Sequence, residues 1–188
     1  AFWSALGRGA SALAAFVLSV LFAHYAAKET VGTCRYLLSV ANLLTAFSLS
    51  GLNTSIIQAV ARGQDGLFRS SFARSLLWSV PAQLLAIGIG AYYHIQGNPL
   101  LGWGVPVASL LVNLWNALLL FRSFLTGKQA LAQLFVSNLT ISLVPVGALA
   151  FGLSRTQSPL ALLIIFLSTA CLVTAVAHRA AVLMQKPN

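Results

Sequence analysis

The sequence predicts an all-α fold: a polytopic membrane bundle of about six transmembrane helices. Of the 188 residues, 59% are hydrophobic and 7% are charged, against roughly 45–50% and 25% in soluble globular domains. The mean hydropathy is +0.87. In addition, the apolar residues form six runs, each close to the roughly 20 residues that cross a bilayer as a helix. This composition excludes both a soluble fold and a disordered chain.

The six runs follow one another with short breaks and make up a single transmembrane lobe over residues 1–188. We place the spans at residues 2–24, 35–60, 75–95, 100–121, 131–152 and 159–178. Each break contains glycine, proline or charged residues, as is typical where helices end. The first span ends before Lys28, Glu29 and Gly32, the second before Arg62, Gly63, Asp65 and Gly66, the third before Gly97, Asn98 and Pro99, the fourth before Gly127 and Lys128, and the fifth before Ser158 and Pro159.

Basic residues are distributed unevenly between the two sides of the predicted bundle, and the side with the excess is expected to face the cytoplasm. Of eleven, eight lie at the chain ends and in the even-numbered loops: Arg8, Arg62, Arg69, Arg74, Arg122, Lys128, Arg179 and Lys186. The odd-numbered loops contain three: Lys28, Arg35 and Arg155. Both termini are therefore predicted to be cytoplasmic.

An amphipathic stretch at residues 67–78 precedes the third span. Arg69 and Arg74 alternate there with Phe68, Phe72 and Leu76, a pattern typical of a helix in the inner headgroup layer. The simpler alternative is a basic anchor that follows the positive-inside rule.

Polar and small side chains recur at steps of three and four along most of the predicted helices, and so share one face of each. The series is Arg35, Ser39, Asn42, Ala46 and Asn53 in the second span, and Ser109, Asn113 and Asn116 in the fourth. Small residues of this kind let membrane helices pack closely. Alternatively, the side-chain amides line a wet central cavity. The recurrence on most helices favours the cavity.

Arg8 lies inside the first span, where an arginine costs from a few to over about ten kcal/mol. The two acidic residues of the chain, Glu29 and Asp65, lie in predicted loops. The guanidinium of Arg8 therefore either reaches the cytoplasmic headgroups or meets an anionic ligand in the cavity. Arg35, near the opposite rim, is a second and weaker candidate. A forked guanidinium suits phosphate, so both are candidate ligands for a phosphate or diphosphate.

Other kinds of chemistry find little support in the sequence. His24, His94 and His178 lie at three different helix ends with no cysteine or carboxylate at ligand spacing, so neither a metal nor a cofactor is expected. The sequence has no catalytic carboxylate pair, GxSxG elbow or phosphate-binding glycine loop, and we expect no enzyme. The basic residues are dispersed, which argues against nucleic acid as a partner.

Several segments resemble the N-terminal half of Wzx-type polysaccharide flippases, within the multidrug/oligosaccharidyl-lipid/polysaccharide exporter superfamily. They are FWSALG at residues 2–7, VGTCRYLLS at 31–39, LSGLNT at 49–54, AVARG at 59–63 and LTGK at 125–128. The most distinctive block is residues 31–63. The usual unit of this superfamily has two six-helix lobes around a central cavity, so the resemblance implies that these spans form one lobe.

The resemblance also implies a substrate, a location and partners. The expected substrate is an undecaprenyl-diphosphate-linked oligosaccharide, such as an O-antigen precursor of lipopolysaccharide, flipped across the bacterial inner membrane. Arg8 and Arg35 are the positions where this resemblance implies diphosphate contacts, and Asn42, Asn53, Asn113 and Asn116 are the predicted polar lining. The implied partners are the lipid bilayer, a second six-helix lobe and a polysaccharide polymerase.

Two other functions remain open at this stage. An exporter of drugs or organic cations from the same superfamily is expected to have acidic residues in its cavity, and the spans contain none. A non-transporting membrane subunit of a polysaccharide assembly complex is the other. The first residue is not a methionine, and with six spans the chain is expected to be a fragment or a half-transporter.

Overall fold

The computed structural model describes residues 2–47, 52–64 and 66–184, and within them the secondary structure is helical throughout. A short 3-10 turn, Thr45–Phe47, follows the second helix. The helices are α1 Phe2–Tyr25, α2 Lys28–Leu44, α3 Leu52–Ala61, α4 Gly66–Trp78, α5 Val80–Ile95, α6 Pro99–Leu118, α7 Leu120–Gly127, α8 Leu131–Leu153 and α9 Pro159–Leu183.

Local residue chemistry explains where several helices begin. Pro99 and Pro159 occupy the first turns of α6 and α9, where the missing N–H costs nothing and the fixed φ suits a helix. The side chain of Asn98 caps α6 by accepting a hydrogen bond from the backbone N–H of Leu101 at 3.2 Å. Gly97, at φ +78°, supplies the left-handed turn that separates α5 from α6.

Four stretches among the described residues are long and apolar enough to cross a membrane: Gly66–Ile95, Pro99–Gly127, Leu131–Leu153 and Pro159–Leu183. The predicted count of about six is therefore not confirmed. The first stretch joins α4 to α5 and the second joins α6 to α7. Membrane character and an all-helical architecture follow directly from these segments.

The predicted second span, residues 35–60, differs most from the structure, which divides it between α2 and α3. At the end of α2, the hydroxyl of Thr45 donates a hydrogen bond to the carbonyl of Asn42 at 2.6 Å. Such local side-chain bonds compete with continued helix. The apolar run therefore continues in the sequence although the helix does not.

The central pair of the bundle is α6 and α9. α2 and α5 pack against α6, while α8 packs against α9 and also contacts α1. Three hydrogen bonds show that α6 and α9 run parallel: Cys171 to the carbonyl of Leu111 at 3.4 Å, Trp115 to Thr174 at 3.1 Å, and His178 to the carbonyl of Leu118 at 3.2 Å.

A second group of short helices closes one end of the bundle. α3 and the start of α4 pack against α7 and the end of α9, around the buried side chains of Ile56, Phe68 and Phe124. The ring of Phe68 stacks on Phe124 with centroids 4.8 Å apart and contacts His178 at 4.9 Å. Phe68 belongs to the stretch predicted to lie in the inner headgroup layer, and the structure buries it fully against Phe124 of α7.

Candidate functional site

The candidate site begins with α2, whose two faces differ sharply in chemistry. One face is buried against α6 and α9 and consists mainly of apolar side chains: Thr30, Cys34, Leu37, Ala41 and Leu44. The opposite face is exposed and contains Arg35, Ser39 and Asn42, beside Tyr36 and Leu43, which are 41% and 73% exposed. Steps of four and three residues align the three polar side chains. We call Arg35, Ser39 and Asn42 the α2 polar row.

The exposed surface of α5, in the same lobe, is mainly apolar. The exposed side chains of α5 include Leu84, Ile87 and Ile95, which are 64%, 51% and 84% exposed. Such a surface is compatible with hydrocarbon, which offers polar groups no hydrogen-bond partners. Because α2 directs a guanidinium, a hydroxyl and an amide away from its own bundle, its outer face suits water or a polar partner instead.

We infer that the α2 polar row reaches into the membrane, because α2 packs against α6, which belongs to the apolar stretch Pro99–Gly127. α2 begins at Lys28 and Glu29, which are exposed and suited to the interface. Asn42 lies one helical length of about 21 Å further along, at a rise of 1.5 Å per residue. An exposed amide at that depth is costly against lipid tails. From Arg35 to Asn42 the row covers about 10 Å of helix, roughly a third of the hydrocarbon core of about 30 Å, and offers polar contacts over that part of a crossing.

A second polar feature lies inside the lobe, between α1, α6, α7, α8 and α9. These helices surround a cavity of about 330 Å³, open on one side, whose walls include Leu18, Trp115, Pro145 and Phe166. Arg122, in the first turn of α7, also lines it. The Nε atom of Arg122 is buried and has no hydrogen-bond partner within the described part of the chain.

The structure does not gather the other predicted site residues around the α2 polar row. Arg8 belongs to α1, but its side chain is outside the described part. The Oδ1 atom of Asn53, on α3, accepts a hydrogen bond from Ser123 of α7 at 3.0 Å. Asn113 is buried and donates to Ser109 at 3.4 Å, whereas Asn116 is exposed. Neither of these two amides lines the cavity that contains Arg122.

Arg122 was assigned no site role from the sequence. It lies one residue beyond the predicted fourth span and was counted only among the cytoplasmic basic residues. The break between α6 and α7 at Leu119 sets the direction of its side chain, and nothing in the apolar run marks that break. The signal for a role of Arg122 is indirect: the helix α7 continues for five more residues after this basic side chain, so the arginine does not lie at the helix end.

The described residues bring no metal-binding cluster together. Across residues 2–47, 52–64 and 66–184, no group of three or more His, Cys, Asp or Glu side chains is positioned to hold a metal ion. Cys34 and Cys171 are buried free thiols. Each donates a hydrogen bond to a backbone carbonyl, of Pro159 and Leu111 respectively. Both cysteines therefore have structural roles in helix packing.

The long apolar helices and the polar surface of α2 together define a helical membrane protein. The chain matches the polysaccharide biosynthesis protein family over residues 1–185, and it belongs to that family. The family includes flippase-type proteins, so a polysaccharide-related membrane function is established at this coarser level. No curated protein and no solved structure matches the chain.

Proposed function

We propose that this protein flips an undecaprenyl-diphosphate-linked oligosaccharide from the inner to the outer leaflet of the bacterial cytoplasmic membrane. The single observation that carries the proposal is the α2 polar row, which faces away from the lobe on a helix packed against α6, part of the apolar stretch Pro99–Gly127. A sugar headgroup crosses hydrocarbon only where polar groups replace its water. Membership in the polysaccharide biosynthesis family supports a glycan substrate.

The proposal assigns a role to each member of the row. Arg35 contacts the diphosphate near the membrane rim, because its guanidinium forms paired, charge-assisted hydrogen bonds to phosphate oxygens. Ser39 and Asn42 hydrogen-bond sugar hydroxyls deeper in the membrane. Arg8 remains a predicted second diphosphate contact. The function involves no covalent step, metal or cofactor, and the chain acts as a transporter without enzymatic activity.

A second six-helix lobe is the proposed partner of the exposed surface of α2. Whether it belongs to the same full-length chain or to another copy, that lobe encloses the α2 polar row in a central water-filled cavity. Rocking of one lobe against the other then exposes the cavity to each leaflet in turn. The proposed export system also includes a polysaccharide polymerase, which receives the flipped oligosaccharide.

The charge distribution supports a cytoplasmic location for the end closed by α3, α4 and α7. Arg62 and Lys128 follow α3 and α7 at that end, and Arg179 lies in the last turns of α9. Arg155 lies at the other end, where Thr30 at the start of α2 donates a hydrogen bond to the carbonyl of Gln157 at 3.1 Å. Under the positive-inside rule the first group faces the cytoplasm.

The test is a leaflet-accessibility assay of lipid-diphosphate sugars in cells that express the full-length protein. Arg35→Gln removes the charge of the row, and Arg155→Gln is its matched control at the same end of the lobe. The side chain of Arg155 lies over the ring of Phe151, 5.4 Å from its centroid, and is not part of the row. We expect Arg35→Gln to reduce translocation about tenfold or more and Arg155→Gln to retain it.

A double variant, Ser39→Leu with Asn42→Leu, tests the deeper part of the row. We expect it to block translocation while the protein still reaches the membrane in normal amounts. Wild-type translocation in both row variants would contradict the proposal. If depletion instead abolished efflux of cationic drugs, the chain would be an exporter. Copurification with a polymerase without any translocation defect would indicate a non-transporting subunit.

A further inference from the structure

The cavity that contains Arg122 is distinct from the α2 polar row. The row faces outward, on the side of α2 opposite its buried face, whereas helices of the same lobe surround the cavity. Of the two acidic residues in the chain, the structure describes Glu29, which lies at the start of α2 near the opposite end of α9. The charge of Arg122 is therefore not neutralised by Glu29.

The register of the helices places Arg122 at the level of the lipid headgroups. His178 of α9 contacts the carbonyl of Leu118, so α7, which begins two residues later, lies beside the last turns of α9. Phe166, at the far wall of the cavity, lies about 25 Å of helix before the end of α9. The cavity thus extends from the cytoplasmic end of the lobe toward the bilayer centre.

The polarity of the cavity changes along this direction. Arg122 and Ser142 contribute the polar groups, and the remaining walls are mostly apolar. A second, smaller pocket shares Leu18 and Phe166 with the cavity and continues between α1 and α2 past Leu38. The two pockets adjoin at Leu18 and Phe166, and we call them together the groove: it has the cation of Arg122 at one end and mostly apolar side chains elsewhere.

The geometry points to a phosphate-bearing lipid as the ligand of this groove, with its phosphate on Arg122 and a hydrocarbon chain along Leu18 and Phe166. Arg122 is half-buried, and its buried Nε has no hydrogen-bond partner among the described residues; phosphate oxygens satisfy a guanidinium with charge-assisted hydrogen bonds. The site goes beyond the proposed function, because it binds lipid within one lobe whether or not that lobe translocates an oligosaccharide. The shared chemistry is a phosphate group, from a membrane lipid or from free phosphate.

The experiment measures ligand-dependent thermal stability of the full-length protein, purified in detergent and stripped of lipid. The probes are phosphatidylglycerol, phosphatidylcholine and inorganic phosphate, each titrated separately. Arg122→Gln removes the cation, and Arg179→Gln, an exposed arginine near the same end of α9, is its control. Ala15→Leu fills the wall of the cavity without changing the charge.

We expect phosphatidylglycerol to stabilise the wild-type protein and to bind about tenfold more weakly to Arg122→Gln, the loss typical of one charge-assisted contact. Without lipid, we expect Arg122→Gln to melt close to wild type, because Nε of the half-buried arginine makes no hydrogen bond within the described residues. Arg179→Gln retains full binding, whereas Ala15→Leu loses lipid binding at unchanged charge. This last variant keeps the test decisive if Arg122→Gln folds poorly.

The titrations with inorganic phosphate and the comparison of the two arginine variants decide between the remaining explanations. Stabilisation by inorganic phosphate that Arg122→Gln abolishes supports the phosphate site and identifies free phosphate as its source. Equal binding of phosphatidylglycerol to wild type and Arg122→Gln overturns the inference. Equal losses in Arg122→Gln and Arg179→Gln also overturn it, since general surface charge would then explain the binding.

Discussion

The helices α5 and α6 approach each other closely, and this contact depends on Gly90. A Cβ atom placed on Gly90 would lie 2.5 Å from the carbonyl oxygen of Gly102 and 2.7 Å from Cγ of Pro106. The first is a backbone atom and the second belongs to a rigid ring, so neither can rotate away. Gly90→Ala therefore forces the two helices apart. A Cβ on Gly88, two residues earlier, would meet nothing within 4 Å.

The expected magnitude is a difference between these two variants. Replacing glycine by alanine inside a helix favours the folded state by about 1 kcal/mol through propensity alone, in either variant. Overpacking costs about 1–3 kcal/mol, and applies only at position 90. Gly88→Ala is thus expected to be neutral or slightly stabilising. Gly90→Ala is expected to lie about 1–3 kcal/mol below it in the free energy of unfolding.

The assay is reversible unfolding of the purified protein in mixed detergent micelles, followed by the circular dichroism of its helices. Gly88→Ala controls for helix propensity, because the two positions share one helix and one substitution. If both variants unfolded within about 0.5 kcal/mol of each other, the close contact between α5 and α6 would not limit stability. A Gly90→Ala protein more stable than Gly88→Ala would refute the packing argument outright.

The same unfolding assay tests two further predictions, and amide exchange tests a third. Gly127→Ala is expected to lower the free energy of unfolding by about 1–3 kcal/mol, since its Cβ would meet a side-chain carbon of α3 at 2.8 Å. Gly147→Ala, whose Cβ would meet nothing within 4 Å, is the control and is expected to leave the free energy of unfolding unchanged. Thr174→Val removes the acceptor of the Trp115 indole N–H, and we expect a loss of about 0.5–1.5 kcal/mol and an altered tryptophan emission. Thr30→Val removes a hydroxyl bonded to the loop before α9; faster amide exchange in that loop is expected, and unchanged exchange would show that the bond does not restrain it.

Composition alone predicts the all-helical membrane class, because apolar runs of this length have few other stable states. The last two spans are also close to the structure: 131–152 against Leu131–Leu153, and 159–178 against Pro159–Leu183. α9 begins at the first residue of its predicted span, since Pro159 marks a helix start. The span at 35–60 overruns because hydropathy averages over the short turn Thr45–Phe47, in which a single threonine is the polar residue.

The site was only partly predictable for a similar reason. The spacing of Arg35, Ser39 and Asn42 correctly places them on one face of α2. The same kind of spacing also singles out Asn113, which is buried within α6 contacts. Periodicity reports which side chains share a face but not what that face contacts. The direction of Arg122 depends on a helix break, which the sequence does not mark.

The sequence by itself determined that this is a helical membrane protein and which polar side chains share a helix face. Both follow from local composition and the 3.6-residue period. The tertiary structure alone decided that the α2 polar row faces out of the lobe and that Arg122 lines a cavity within it. Those two facts depend on which helices are neighbours, and neighbours are set by close packing across distant parts of the chain, as at Gly90 and Gly102.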